Sequence, residues 1–299
     1  MSPRAGLVIN PWAWANARWP DRRRALARAF APLGEVVETE DAAALPAIFR
    51  RWRREGRDLV AVCGGDGTVH AALNALVGAW GPTLPRLLLL HGGTFGVTTR
   101  GCGTTPVRLV EALAAGAPVR TRRVEPLCVG DRLAFTFGLG LFADLPAEFV
   151  RRGARGPGAV RALGATTVAS ALVGGRLAAR MLRGWEGIAR CDGRPRGAGH
   201  LAGLYAAALD TRLPLPASWG APRPAGHVRV LTVDAWPGAL RTGLVALGRP
   251  DVAVHLDTVR VVEVSPSRPA FYMVDGELAP LDGALRISAG PVLEVVVVA

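Results

Sequence analysis

The first third of the sequence alternates short apolar runs with segments of helical period, and this alternation restricts the fold more than any other feature. Leu7-Val8-Ile9, Glu35-Val36-Val37-Glu38, Leu59-Val60-Ala61-Val62-Cys63 and the run from Leu87 to Leu90 read as strands. Helical patterns over 20–31, 41–55, 68–79 and 106–115 follow them in turn. Most of these runs are apolar throughout rather than apolar at every second residue. That is the pattern of a parallel sheet covered by helices on both faces.

Beyond about residue 122 the pattern changes. The runs Val124–Val129, Leu133–Phe137, Leu201–Leu209, Val228–Val233, Val252–Val264, Phe271–Val274 and Val292–Val298 are strand-like. Only a helical region over about 144–182 and a shorter one over 238–247 interrupt them, and Pro214 to Pro224 reads as a Pro-rich connection. Consecutive β runs without alternating helices predict a mainly antiparallel β-sandwich. The expected fold is therefore an α/β N-terminal domain with a parallel sheet, over 1–122, and a β-rich second domain over 123–299. The last strand is a candidate to return to the first domain. With 299 residues, the chain is comfortable for two cores.

The run Gly64-Gly65-Asp66-Gly67-Thr68 follows the third strand directly and opens a helix. In an open parallel sheet, ligands bind at the carboxyl ends of the strands, and a helix N-terminus there presents free N–H groups to anions. Three glycines let the backbone approach phosphate oxygens. A carboxylate beside polyphosphate repels it unless a cation intervenes, so Asp66 points to Mg²⁺ or to a hydroxyl whose proton it accepts. The plain structural alternative is a Gly-rich turn with Asp66 as helix N-cap. A P-loop is excluded, because G-x-x-x-x-G-K-[ST] is absent and the chain contains no lysine. The same lack excludes a protein kinase, which needs a lysine on its third strand.

Every one of the residues behind the formal charge of +12 is arginine. Such uniformity fits GC-rich codon usage better than selection for nucleic acid, and the clusters Arg22-Arg23-Arg24, Arg50-Arg51 and Arg53-Arg54 lie in amphipathic helical patterns as solvated faces. Nucleic acid is not among the expected partners. Cys63, Cys102, Cys128 and Cys191 form no C-x-x-C pair and read as free thiols in a reducing compartment. The N-terminal apolar run is too short for a signal peptide, and no window reaches the roughly 18 apolar residues of a membrane span. The expectation is a cytoplasmic chain that meets the inner membrane face peripherally. Trp12, Trp14 and Trp19 beside the first strand are expected in the core, with base stacking as the alternative.

On these motifs the sequence resembles the diacylglycerol kinase catalytic-domain family, which includes bacterial lipid kinases, sphingosine kinases and ceramide kinases. Asn10-Pro11 after the first strand, Thr39-Glu40 after the second and the unchanged Gly64–Thr68 run match the family in order. So do Gly93-Thr94 with Arg100, Gly138 to Asp144, and Val274-Asp275-Gly276-Glu277. The sequence departs from the family at Gly96-Val97, where an Asn-Asp is usual, at Ala71, where a glutamate is usual, and at His91-Gly92.

The resemblance implies ATP and Mg²⁺ as cofactors and transfer of the γ-phosphoryl group to the hydroxyl of a diacylglycerol- or sphingosine-like lipid. It implies that Gly64, Gly65, Gly67 and Thr68 cradle phosphates while Asn10, Thr39 and Thr94 contact nucleotide. Asp66 would hold metal or accept the hydroxyl proton, Asp275 with Glu277 would supply a second catalytic acidic group, one of these acids serving as general base, and Asp144 would orient the lipid headgroup, its plain alternative being a helix N-cap before Pro146. The helical stretch 156–182 is the candidate wall of an acyl pocket. The expected partners are a lipid substrate, a membrane surface and a second copy of the chain as homodimer. Two alternatives stand beside this reading: a soluble-substrate kinase of the NAD kinase type, and a nucleotide-binding protein with reduced or no catalysis.

Overall fold

The computed structural model describes residues 5–81, 83–93, 107–117, 120–153, 166, 170, 184–197, 199–208, 223–234 and 254–297. Its contacts divide the chain into two units, Met1–Val124 with Pro291–Ala299, and Glu125–Gly290.

The first unit holds β1 (Ala5–Ile9), β2 (Gly34–Glu38), β3 (Leu59–Gly64), β4 (Arg86–His91) and β5 (Arg120–Val124). Its helices are α1 (Trp14–Arg18), α2 (Pro20–Phe30), α3 (Leu45–Arg54), α4 (Asp66–Trp80) and α5 (Val107–Ala114). The second unit carries β6 (Leu127–Val129), β7 (Arg132–Ala134), β8 (Thr136–Gly140), α6 (Leu141–Arg151), β9 (Trp185–Cys191), β10 (Arg194–Arg196) and β11 (His200–Ala207). It continues through β12 (Val228–Asp234), β13 (Val254–Val259), β14 (Val261–Pro266), β15 (Ala270–Val274), β16 (Glu277–Leu281) and β17 (Leu285–Ala289). The chain's last strand, β18 (Leu293–Val297), belongs to the first unit.

The first sheet runs β2-β1-β3-β4-β18-β5. All pairs are parallel except β18 with β5. β1 and β3 are buried at every residue, as their uninterrupted apolar runs require. Helix α3 buries Leu45, Phe49 and Trp52 at i, i+4 and i+7 and turns its arginines away from the core. Gly6 makes room for that helix, since a Cβ there would stand 2.6 Å from the Trp52 ring. Arg57 stacks its guanidinium 5.2 Å from the Trp52 ring centroid.

The second unit is antiparallel throughout, in the order β16-β15-β8-β11-β9-β14-β17-β6-β7, with β12 and β13 continuing from β11. Pairing of His200 with Glu186 and Leu201 with Trp185 joins its two ladders, so the unit is one curled sheet. Its interior packs Leu127, Phe137, Leu204, Val230, Val262 and Ile287, and α6 covers the opposite face through Ala143.

Three apolar runs that read as single strands are each broken. Val124–Val129 divides between the units at Glu125-Pro126, where proline has no N–H for a ladder. Leu133–Phe137 breaks at Phe135, whose N–H donates to the Asp275 carboxylate at 3.0 Å. Val252–Val264 breaks at Arg260, where Asp192 Oδ1 accepts from the N–H groups of Arg260 and Val261, both at 2.9 Å. The regions 156–182 and 238–247 lie outside the described residues, apart from Thr166 and Ser170. Among the described residues no helix is long and apolar enough to cross a membrane.

Candidate active site

The carboxyl ends of β1, β3 and β4 meet beside the start of α4, and backbone hydrogen bonds lock them together. Asn10 N donates to Cys63 O at 2.9 Å, and Gly92 N donates to Gly64 O at 2.9 Å. The Gly92 carbonyl in turn accepts from Ala15 N at 2.9 Å and Asn16 N at 3.2 Å, which brings α1 to the same corner. Glycine is required where these segments touch. A Cβ on Gly92 would lie 2.5 Å from the Asn16 amide, and one on Gly93 would overlap the Gly65 Cα. Among the described residues, the result is a strand-to-helix junction whose backbone carries no Cβ at Gly64, Gly65, Gly92 and Gly93.

Helix α4 begins earlier than the sequence suggested. Gly65 is its N-cap, with φ −85° and ψ 178° and no side-chain cap bond, so Asp66 is the first helical residue. The N-cap reading of Asp66 is therefore wrong. Its carboxylate stands in the first turn, partly exposed, where the helix dipole favours negative charge. Val69 N bonds back to Gly65 O at 3.0 Å, while the N–H groups nearer the start have no partner within the helix by geometry.

Asn10 and Thr68 are brought into direct contact. Asn10 Nδ2 donates to Thr68 Oγ1 at 3.0 Å, and Asn10 Oδ1 accepts from Trp12 N at 2.9 Å. The second bond fixes which way the amide faces, because only its oxygen can accept from an N–H. Thr68 Oγ1 is thus an acceptor toward Asn10, and its own proton is directed elsewhere. Gly64 accommodates this side chain, since a Cβ there would stand 2.5 Å from Thr68 Cβ.

Asn16 belongs to the same corner and was not singled out from sequence. It is 6 % exposed, its Nδ2 donates to Asn10 O at 2.8 Å, and its Oδ1 lies 3.5 Å from Cys63 Sγ. A polar residue flanked by alanines in a Trp-rich segment was the available signal. Burial pushes the Cys63 thiol up to about 11, against the Asn16 hydrogen bond. Cys63, Cys128 and Cys191 are free.

Thr39 sits just past β2, its N–H bonded to Ile9 O at 3.0 Å and its hydroxyl turned to the Asp41 backbone at 3.2 Å. Thr94, Gly96, Val97 and Arg100 lie outside the described residues. The tryptophans depart from the expected core: Trp12 is 71 % and Trp19 45 % exposed, with Trp14 edge-on to Trp19 at 5.3 Å. The core that β1 shares with α2 and α5 is filled instead by aliphatic residues, Cys63 and Phe30.

The remaining candidates lie in the second unit. Asp144 is inside the first turn of α6, which begins at Leu141, so it does not cap that helix. Asp275 occupies the turn between β15 and β16 at φ 48°, is 4 % exposed, and accepts from Phe135 N, Thr136 N and Thr136 Oγ1 at 2.8 to 3.1 Å. Glu277, two residues on, is exposed at the start of β16. Among the described residues no group of three or more His, Cys, Asp or Glu side chains is placed to hold a metal ion.

No curated protein matches the sequence. Solved structures do. A diacylglycerol kinase from Bacillus anthracis strain Sterne superposes with a TM-score of 0.65 at 13 % identity, covering 98 % of this chain and 96 % of its own. Two provisionally assigned diacylglycerol kinases of the same strain give 0.72 and 0.70, each at 15 % identity, covering 98 % and 99 % of this chain and 94 % and 97 % of theirs. At such identities the likeness is one of fold. Residues 4–128 match the model of the diacylglycerol kinase catalytic domain.

Proposed function

We propose that the chain is an ATP-dependent lipid kinase that moves the γ-phosphoryl group of ATP to a hydroxyl of a diacylglycerol- or sphingosine-like lipid. The observation that carries this reading is the junction at Gly64–Thr68, where bare backbone, helix N–H groups and one carboxylate share the carboxyl edge of a parallel sheet. The catalytic-domain match over 4–128 supports a kinase. The lipid acceptor is our inference, and peripheral contact with a membrane follows from it.

Phosphoryl transfer depends on positioning and on neutralising charge. The N–H groups of Gly65, Asp66 and Gly67 at the start of α4 bind phosphate oxygens, and the Thr68 proton, directed away from Asn10, adds a further donor. Asn10 acts through Thr68 as a positioning residue, and Thr39 and Thr94 are assigned to the nucleotide. The donor set fits Mg²⁺, which is commonly held by one or two carboxylates together with substrate phosphates rather than by an all-protein cage. Asp66 would hold it, and the ion would supply charge neutralisation at the polyphosphate. Asp66 is also the assigned acceptor of the hydroxyl proton. The lipid oxygen then bonds to the γ-phosphorus as the bond to the β–γ bridging oxygen breaks, and ADP leaves. Asp275, buried and bonded to backbone, is assigned to shaping its turn, with Glu277 as the exposed acid beside it and Asp144 at the headgroup.

The test is transfer of labelled γ-phosphate from ATP to a panel of lipid vesicles, with Asp66→Asn beside the wild type. Labelling of a lipid that falls at least about a hundredfold in the variant is expected, since general acid–base work alone contributes roughly that much. Equal labelling by both proteins removes Asp66 from the mechanism. Nucleotide binding without labelling assigns a non-catalytic binding protein instead, and labelling of a soluble acceptor without vesicles assigns the NAD kinase-like alternative.

A further inference from the structure

The surface beside the candidate active site carries aromatic residues that phosphoryl transfer does not use. Trp12, Trp14 and Trp19 fall within eight residues of sequence. Trp12 is 71 % and Trp19 45 % exposed, and Trp14 lies edge-on to Trp19. Where the fold itself uses an indole, it buries it: Trp52 is 0 % exposed, and its Nε1 donates to Glu35 at 2.9 Å. Large aromatic side chains clustered in solvent mark a surface that meets a partner.

The two helices set the direction of this cluster. Helix α1 buries Ala15 and Asn16, whose N–H groups both bond to the Gly92 carbonyl at the corner of the site. At 3.6 residues per turn, Trp14, Ala17 and Arg18 then share the opposite face. Ala17 and Arg18 are exposed there. Trp19 ends α1 and precedes α2, and its ring closes on Trp14 at the elbow between them. Trp12 comes just before α1, its N–H held by Asn10 Oδ1 at 2.9 Å. The indoles therefore stand next to the strand ends to which phosphate is assigned.

Charge selects the partner. Five arginines and one aspartate lie between Trp12 and Arg28, a net charge of +4. Arg23 is paired with Glu38 and Arg24 with Asp21, while Arg18, Arg22 and Arg28 are exposed with no ion pair among the described residues. A second copy of the chain would set this charge against itself across a two-fold axis. An anionic bilayer complements it. Indoles favour the headgroup layer, where the ring is shielded and the N–H stays wet, and arginines meet lipid phosphates. We infer that the α1–α2 elbow docks on an anionic lipid bilayer, with Trp12, Trp14 and Trp19 in the headgroup layer and Arg18 and Arg22 on its phosphates. The choice of a bilayer rests in part on the lipid-kinase reading, and it adds the face of the first unit that meets the lipid.

Co-sedimentation of the full chain with sucrose-loaded vesicles tests this, with phosphatidylcholine alone beside phosphatidylcholine mixed with phosphatidylglycerol. The wild type is expected to pellet with the anionic vesicles, to stay in solution with the neutral ones and to be released by high salt. Trp12→Ser with Trp19→Ser changes exposed side chains and should weaken binding about tenfold or more for the lost apolar contact. Arg18→Gln with Arg22→Gln should weaken it roughly twentyfold, or about fivefold for each arginine. The inference is overturned if the wild type stays in solution with anionic vesicles, or if either double variant binds them as the wild type does. It is overturned equally if the tryptophan variant breaks a lipid-free dimer, which gives the face to a second copy. The same holds if that variant loses ATP affinity in solution while vesicle binding is unchanged, which gives Trp12 to the adenine. ATP is absent from the sedimentation assay, so its outcome is separate from that of the labelling assay. Binding through this face without lipid labelling removes the kinase reading alone, and labelling without such binding removes the docking surface alone.

Discussion

The Asn10 side-chain amide donates to Thr68 Oγ1 across 3.0 Å and ties the loop after β1 to the first turn of α4. Two residues 58 positions apart in sequence are thereby made one unit, and the bond orients the only hydroxyl of the Gly64–Thr68 junction. Replacing each residue by alanine, singly and together, should show a coupling of about 1 kcal/mol in urea unfolding, the net worth of one neutral hydrogen bond. Additive losses would mean that the bond contributes nothing in solution.

Asp275 should prove to be a stability residue. Its carboxylate serves two backbone N–H groups and a hydroxyl at the break between β7 and β8, all buried. Asp275→Asn puts an NH₂ group where an acceptor is needed and is expected to lower stability by about 1.5 to 3 kcal/mol, as for a hydrogen-bonded charged group. Unfolding midpoints at pH 7 measure this, and a variant as stable as the wild type rejects the role.

This carboxylate also shows where sequence reading stops. The alternation of apolar runs and helical segments was enough to predict the parallel sheet, because burial of whole strands is written in consecutive residues such as Leu59 to Cys63. The breaks at Phe135 and Arg260 were not legible. Each is made by an aspartate distant in sequence, Asp275 and Asp192, that takes backbone donors away from a ladder. Local hydrophobicity carries no trace of such a partner. The site was legible at Gly64–Thr68 for the opposite reason, since the loop chemistry is contiguous. Asn16, which reaches the same corner through tertiary contact, was not.

Acid should weaken the first unit through Glu35. Its hydrogen bond with Arg51, then the Trp52 N–H and the charges of Arg51 and Arg57, hold its carboxyl below the ordinary 4.5 despite the opposing effect of burial. A carboxyl depressed in the folded state contributes stability that is fully present above its unfolded value and is lost as pH falls through the folded one. The wild type should therefore lose stability below about pH 4.5, and Glu35→Gln should flatten that limb while being less stable at pH 7. Urea midpoints between pH 3 and pH 7 decide it. Parallel curves for the two proteins would show that other carboxylates carry the acid sensitivity.

The two facing glycines of the junction should respond unequally to the same change. A Cβ on Gly93 overlaps the Gly65 backbone, and neither segment can retreat, because Gly92 N is bonded to Gly64 O and the Gly92 carbonyl holds Ala15 and Asn16. Gly93→Ala is expected to cost the upper part of the roughly 1 to 3 kcal/mol typical of overpacking. A Cβ on Gly65 meets only the Gly93 Cα, at 3.5 Å, and its φ of −85° suits any residue. Gly65→Ala should fold with little loss, yet crowd the anion and weaken ATP binding. Thermal unfolding and nucleotide titration of the two variants separate these effects. If Gly93→Ala is as stable as Gly65→Ala, the strand ends are not locked as described, and if Gly65→Ala binds ATP as tightly as the wild type, phosphate does not approach the backbone there.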